Sequence, residues 1–422
     1  MSARIEWKTS LGAGFATDDV APVAPSGKAD DDHAAALERA GFDEFLHGHA
    51  LGPITVVVND THRMTDTRSF LAAMLAAVDR VFPLGKRPEL RMLVAAGTHK
   101  SDRMERAAHE ERMAAPFLKR FTEITWHDAD DKTRLRDVGG FELHRWMGEH
   151  GTYVACGSAE PHYFAGVTGA HKTLTVGVMS RADIEKNHAR AMQSEATGFA
   201  LDGNPVHEGV VAAIRALESS RGRLFALNQV LVGGRVVGLS AGSPLAALHA
   251  VVPLVRRVFG HRVDTPFDCV VACVEPPLDR DLYQADKGIK NTEAGVRDGG
   301  VLILDAACER GVGIDHFVGL LRSAPTYVDS MLIISGRGYR LGDHKAVKLR
   351  ALRDNRHVRL AVVSSRLDAA LAPVLGMEIF TTRAAAAAWA RELLGAAAAA
   401  AAKPRALVVE DAGNLTLEIA AS

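Results

Sequence analysis

ITVVVNDTHR, residues 54–63, decides the fold. Its nearly unbroken β-branched run stops abruptly at polar residues, as a strand buried on both faces of a parallel sheet does. Behind it the spacing predicts a helix over Thr67–Phe82, with Phe70, Leu71, Met74, Leu75, Val78 and Val81 on one face. A second buried run, RMLVAAGTHK (91–100), follows, and then a polar helix over Asp102–Met113. Strand, helix, strand, helix is the grammar of a parallel sheet with crossover connections, so the chain reads as α/β. In such sheets ligands sit beyond the carboxyl ends of the strands. Here those ends carry Asp60–Arg63 and Gly97–Lys100.

Outward from this unit, the alternating start ARIEWKTS reads as an edge strand, and Asp18–Asp32, with Pro22 and Pro25, as an exposed loop. Asn204 caps a helix over Pro205–Glu218, with proline at its first position, and FALNQVLV follows as a strand. Near residue 265 the grammar restarts: FDCVVACV reads as a strand, Asp286–Asp298 as a helix, and GGVLILDAAC, MLIISG and VRLAVVSS as strands. The alanine-rich tract Ala384–Ala402 favours helix, facing solvent or serving as a linker. The expectation is two α/β domains with largely parallel sheets and an active-site cleft between them. Residues 1–264 form the first and 265–404 the smaller second, and 405–422 returns as a strand to either.

Lys+Arg number 50 against 51 Asp+Glu with no basic run, which argues against nucleic-acid and membrane partners. Cys156, Cys269, Cys273 and Cys308 form no CxxC pair and no disulfide-like density. The start MSARIEWKTS lacks the form of a secretory signal, so the expected location is cytoplasmic.

Five groups of residues are candidates for the chemistry. Asp60-Thr61-His62-Arg63 is either a turn with a capping aspartate or an anion clamp, since arginine offers a bidentate fork. Gly97-Thr98-His99 places a histidine with a pKa near working pH at the next strand end; alone it is more often structural, but two adjacent reactive strand ends reverse those odds. PHYFAGVTGAHK (161–172) is stronger, because Gly166 and Gly169 let backbone approach a ligand. It is neither a Walker loop nor a dinucleotide fingerprint. His162 fits a general base, a metal ligand or a packed core residue. Lys172 fits a phosphate-binding cation, a Schiff-base lysine or a covalent cofactor anchor. Asn187-His188 offers a ring nitrogen to a metal, or a surface histidine. Tyr283-Gln284-Ala285-Asp286-Lys287 opens a helix with Tyr283, Gln284 and Lys287 near one face, either solvated or substrate-facing.

In order, DTHR (60–63), GTH (97–99), PHYFAGVTGAHK (161–172), NH (187–188), NPVHE (204–208) and YQADK (283–287) resemble the lactate racemase family, the nickel-pincer nucleotide-dependent 2-hydroxyacid racemases and epimerases. The resemblance implies nickel held in a pyridinium-3,5-bisthiocarboxylic acid mononucleotide, joined to the lysine matching Lys172. His188 matches the histidine that completes the nickel set. His99 and His162 match the pair that takes and returns the hydroxyl proton while hydride passes to and from the cofactor. Arg63, Tyr283, Gln284 and Lys287 match substrate-orienting groups; Asp60, Thr61, Gly166 and Gly169 fall in the cofactor region. Implied partners are a small 2-hydroxy acid, lactate or a larger or more acidic one, the enzymes that make the cofactor, and in some cases a second copy of the chain.

The family pattern DxTRP has His62 for threonine and Met64 for proline here, and its GGxK is Gly169-Ala170-His171-Lys172. Two competing readings stand beside this one. A Schiff-base or zinc enzyme would use Lys172 or His99, His162 and His188. A non-catalytic nucleotide-binding relative would have lost cofactor loading.

Overall fold

The computed structural model describes residues 3–27, 29–49, 52–148, 150–397 and 403–420. The chain divides into two compact units, one of residues 24–258 and one of 1–23 with 259–422. The division differs from a cut at 264 because both chain termini belong to the second unit.

In the 24–258 unit a six-stranded sheet runs in the order Arg235–Gly242, Arg223–Val232, Thr152–Ser158, Ile54–Asn59, Leu90–Ala95, Glu123–Trp126. All neighbours are parallel except the first pair, an antiparallel hairpin. Every residue of Ile54–Asn59 is buried, which is what its unbroken apolar run requires. The helix Thr67–Val81 is capped by Asp66, whose side chain accepts from Ser69 N, and packs Phe70, Leu71, Met74 and Val78 onto the sheet core. From Ile54–Asn59 the chain adds strands to one side through 90–95 and 123–126; from Thr152–Ser158 it adds them to the other. The order therefore reverses between these two strands, which is where a parallel sheet opens a crevice beyond its carboxyl ends.

The second unit has an all-parallel six-stranded sheet in the order Ala16–Val20, Arg405–Val409, Phe267–Cys273, Val296–Asp305, Arg359–Val363, Glu378–Phe380. Arg405–Val409 lies inside it, so the C-terminal stretch returns to this sheet and not to the first. Several expectations are corrected here. Ala3–Leu11 is a helix, not an edge strand: Trp7 and Leu11, one turn apart, are fully buried, and Trp7 Nε1 donates to Asp305 Oδ2 at 2.7 Å. Part of Asp18–Asp32 is the strand Ala16–Val20. MLIISG lies inside the helix Tyr327–Arg337, started by a capping box of Thr326 and Asp329. The helix of the YQADK segment is Leu282–Thr292, capped by Asp281, and Val296 already opens the next strand. The alanine-rich helix Arg383–Ala397 packs Ala386, Ala387, Ala390 and Leu394 into the core; residues 398–402 of that tract lie outside the described residues. Among the described residues no single helix is long and apolar enough to cross a membrane.

Candidate functional site

The reversal point of the first sheet gathers most of the sequence-derived residues. Asp60 follows Ile54–Asn59 directly, is only 2 % exposed, and accepts hydrogen bonds on one carboxylate oxygen from two imidazoles. His99 Nδ1 lies 2.8 Å and His62 Nδ1 3.0 Å from Asp60 Oδ2, while His62 N donates to Oδ1 at 3.1 Å. The two rings stack with centroids 3.9 Å apart. Burial alone would push the Asp60 carboxyl up, but the facing His99 and His62 imidazoles outweigh it and hold the group well below the usual carboxylate range. An ionised carboxylate accepts only, so both Nδ1 atoms carry hydrogen, and Nε2 is the nitrogen through which the His99 ring gains or loses a proton. His99 reaches Asp60 through a tight turn in which Gly97 has φ +54° and its N–H donates to Gly177 O at 2.9 Å.

Across the reversal, Arg63 pairs with Glu160, the residue immediately before Pro161-His162. His162 ends the two-residue strand Pro161–His162, which pairs antiparallel with Gly166–Val167. Its ring stacks on Tyr163 and meets the edge of Phe164 at 4.4 Å; Phe164 in turn meets His188 at 5.1 Å, at the end of the helix Arg181–His188. Thus one phenylalanine links His162 and His188. Asn204 braces this loop: its Oδ1 accepts from Val206 N and His207 N, and its Nδ2 reaches the Phe164, Thr197 and Ala200 carbonyls.

Lys172 lies on the single helical turn Ala170–Thr173, which is tied to two strands of the sheet. Ala170 N donates to Asn228 Oδ1 at 2.8 Å, and Thr173 Oγ1 to Asn59 Oδ1 at 2.8 Å. Burial, aided by the Arg63 charge, lowers the Lys172 amine from its ordinary value to about 7. Ala170 takes the place of a glycine without strain because it sits in ordinary helical backbone. His171 is fully buried with neither ring nitrogen hydrogen-bonded, and burial pushes its pKa well below the usual value.

Gly166 has φ +74°, and a Cβ there would lie 2.2 Å from Ala200 O. At Gly169 a Cβ would lie 2.6 Å from Asn228 Oδ1. Both glycines are thus required by close protein packing, whatever their amides meet. Thr61 Oγ1 lies 3.4 Å from His62 Nδ1. Among the described residues the three-ligand grouping at metal spacing is Asp60, His62 and His99. The alternative zinc set of His99, His162 and His188 is not brought together among the described residues: His99 is held on Asp60 while the other two flank Phe164.

In the second unit, Gln284 is buried and its N–H donates to Asp281 Oδ1 at 2.8 Å. Tyr283 and Lys287 are partly exposed on the same helix, and the Lys345 ammonium lies 4.5 Å from the Tyr283 ring centre and 2.6 Å from its carbonyl oxygen. Sequence reasoning missed Glu160, Asn59, Asn228 and Lys345. Only Glu160, a charge at a strand end beside His162, carried a local signal.

The lactate racemase N-terminal domain model matches residues 35–199, and the lactate racemase C-terminal domain model matches residues 265–409. A lactate racemase of Thermoanaerobacterium thermosaccharolyticum is 26% identical over 298 residues, covering 68% of this chain and 67% of that protein. One from Lactiplantibacillus plantarum is 26% identical over 278 residues, covering 63% of this chain and 62% of its own length. The lactate racemase apoprotein structure from Thermoanaerobacterium thermosaccharolyticum superposes with a TM-score of 0.78 at 21% identity, over 92% of this chain and 94% of that one. A Thermotoga maritima protein superposes with a TM-score of 0.71 at 15% identity, over 93% of this chain and 100% of its own. At these identities the structural matches speak for the fold.

Proposed function

The chain belongs to the lactate racemase family, and on that footing we propose that it inverts the α-carbon of a 2-hydroxy acid, lactate or a larger or more acidic relative. It is an isomerase. The observation that carries the reading is the Asp60–His99 pair, which turns His99 Nδ1 to a buried carboxylate at a strand end and so makes Nε2 the nitrogen that accepts a hydroxyl proton.

His99 takes the hydroxyl proton from one face of the substrate, and His162 returns it on the other; for the reverse configuration their roles exchange. Asp60 holds the His99 tautomer and stabilises the imidazolium once the proton has arrived. Arg63, fixed by Glu160, is the carboxylate-orienting cation. Tyr283, Gln284 and Lys287 are assigned to substrate orientation on the strength of the YQADK match.

The family's nickel-pincer nucleotide fits the residues present on one structural ground. A lysine amine near 7 is substantially uncharged at neutral pH, as covalent attachment at Lys172 requires. Lys172 would anchor the group and His188 would ligate its nickel, with Asp60, Thr61 and the Gly166–Gly169 backbone near it. When bound, the group supplies the acceptor and donor of the α-hydrogen as hydride.

The test is the chain coexpressed with the cofactor-making enzymes. Expected are bound nickel, a nucleotide adduct on the Lys172 peptide by mass spectrometry, and racemisation of lactate or another 2-hydroxy acid. Lys172→Ala should lose adduct and turnover, and His162→Ala should keep the adduct and lose turnover. Racemisation by Lys172→Ala would refute the anchor; zinc without an adduct would refute the cofactor reading.

A further inference from the structure

His62 is not explained by the proposed reaction. It stands where the family pattern has threonine, yet it is built onto the same carboxylate oxygen as His99. One ligand atom each of Asp60, His62 and His99 lies within 4.8 Å of the other two, and both Nδ1 atoms are within 3.0 Å of a carboxylate that is almost fully buried. Two imidazoles and one carboxylate are a first-row transition-metal donor set.

We infer that Asp60, His62 and His99 form an inhibitory site for a divalent cation of the zinc class, separate from any nickel ligated by His188. The ion would take the place of the two Nδ1 hydrogens that now face Asp60. A neutral imidazole ligating through Nδ1 carries its hydrogen on Nε2. A ring that is neutral beforehand moves one proton from Nδ1 to Nε2 through solvent, and a ring that is protonated beforehand releases its Nδ1 proton to solvent; in both cases the bound ring keeps its hydrogen on Nε2. With Asp60 alone as partner, His99 presents a basic Nε2. With the cation bound, the same nitrogen carries a hydrogen and cannot accept the substrate proton. The two occupants of the Nδ1 side thus select opposite tautomers of one histidine. The inhibitory half of this inference rests on His99 being the base proposed above; the binding half does not.

Pairing His62 with Asp60 also explains why a threonine at that position would not suffice. Thr61 is already within 3.4 Å of the His62 ring, but a hydroxyl is a poor ligand for this class of ion compared with imidazole.

The binding half is tested on the cofactor-free chain by equilibrium dialysis against zinc, and by the visible absorption of cobalt in its place. The wild-type chain should bind one equivalent more than His62→Thr, and that equivalent should give the cobalt spectrum. His188→Ala should bind the same equivalent as wild type. Equal zinc stoichiometry and affinity in wild type and His62→Thr would overturn the site. Thermal melting confirms that the threonine variant, which carries the family's own residue, is folded.

The inhibitory half is tested on nickel-loaded enzyme with its nickel content followed throughout. Zinc should suppress racemisation reversibly on chelation, and His62→Thr should need at least ten times more zinc for the same fractional loss. Zinc bound at this site without loss of turnover would overturn the inhibition and would place the fault in the reading of His99 as base. Equal sensitivity of the two proteins would overturn the inhibition at this site.

Discussion

His99 Nδ1 donates to Asp60 Oδ2 at 2.8 Å, so a buried carboxylate fixes which ring nitrogen of the histidine is free. Asp60→Asn keeps the size of the side chain but lowers its charge and permits the amide to donate instead of accept. The expected result is a fall in kcat on the order of 10²–10⁴-fold for both lactate enantiomers, because His99 then samples the wrong tautomer. Chiral chromatography of lactate equilibration, on protein with measured nickel content, reads this. Undiminished kcat at equal nickel loading would remove Asp60 from the mechanism.

Lys172 and Lys100 should differ in how they react with acylating reagents. The Lys172 amine is lowered to about 7, whereas Asp128 and Asp130 beside Lys100 raise that ammonium above its ordinary value, even though burial opposes them. Only the uncharged amine is nucleophilic, so Lys172 in the cofactor-free chain should gain reactivity as pH rises through about 7, well before Lys100. Arg63→Met, which removes a neighbouring cation, should move the Lys172 midpoint upward. Competitive labelling with peptide mass spectrometry supplies both profiles. A Lys172 midpoint in the ordinary lysine range would contradict the burial argument.

The strands were the most legible part of the sequence. Runs such as ITVVVN have no alternation to confuse, and parallel strands deliver their loops to one edge, so Asp60 and His99 could be placed there in advance. The N-terminal ARIEWKTS satisfies a period of two and a period of 3.6 alike; only the burial of Trp7 and Leu11 against the second sheet decides for helix. MLIISG, a continuous apolar run, fits a short buried strand and a helix segment alike, and the Thr326–Asp329 capping box is the signal that marks the helix. The alanine tract looked like a surface helix because small side chains carry little apolar signal, yet they allow close packing on the sheet. The unread part of the site is its bracing. Asn228 caps the Lys172 turn from 58 residues away, and no local pattern records such a pairing.

Gly166 and Gly203 offer a controlled comparison, since their φ values are +74° and +72°. Alanine at Gly203 meets nothing within 4 Å and bears only the cost of left-handed backbone, about 1 kcal/mol. Alanine at Gly166 adds a collision with Ala200 O, whose chain is already held by Phe199 N donating to Gly166 O. Gly166→Ala should therefore lose at least about 2 kcal/mol more than Gly203→Ala. Thermal and denaturant midpoints of the two variants decide it, and equal losses would show that the loop yields.

Asp411 gives the second unit a stability that falls as pH rises. Burial, with Glu275 and Glu410 nearby, raises its carboxyl from 3.8 to about 7, against the opposing Asn414 hydrogen bond. Between those two values the folded chain holds a proton that the unfolded chain has released, so stability declines across that window and the decline ends near the folded value. Asp411→Asn is neutral at every pH, keeps an acceptor for Asn414 Nδ2, and tolerates the φ of +51° at this position. The difference in Tm between variant and wild type should grow in favour of the variant from about pH 4 to pH 7 and level off above it. A difference that stays constant from pH 4 to 9 would mean that Asp411 titrates in the folded chain as it does in the unfolded one.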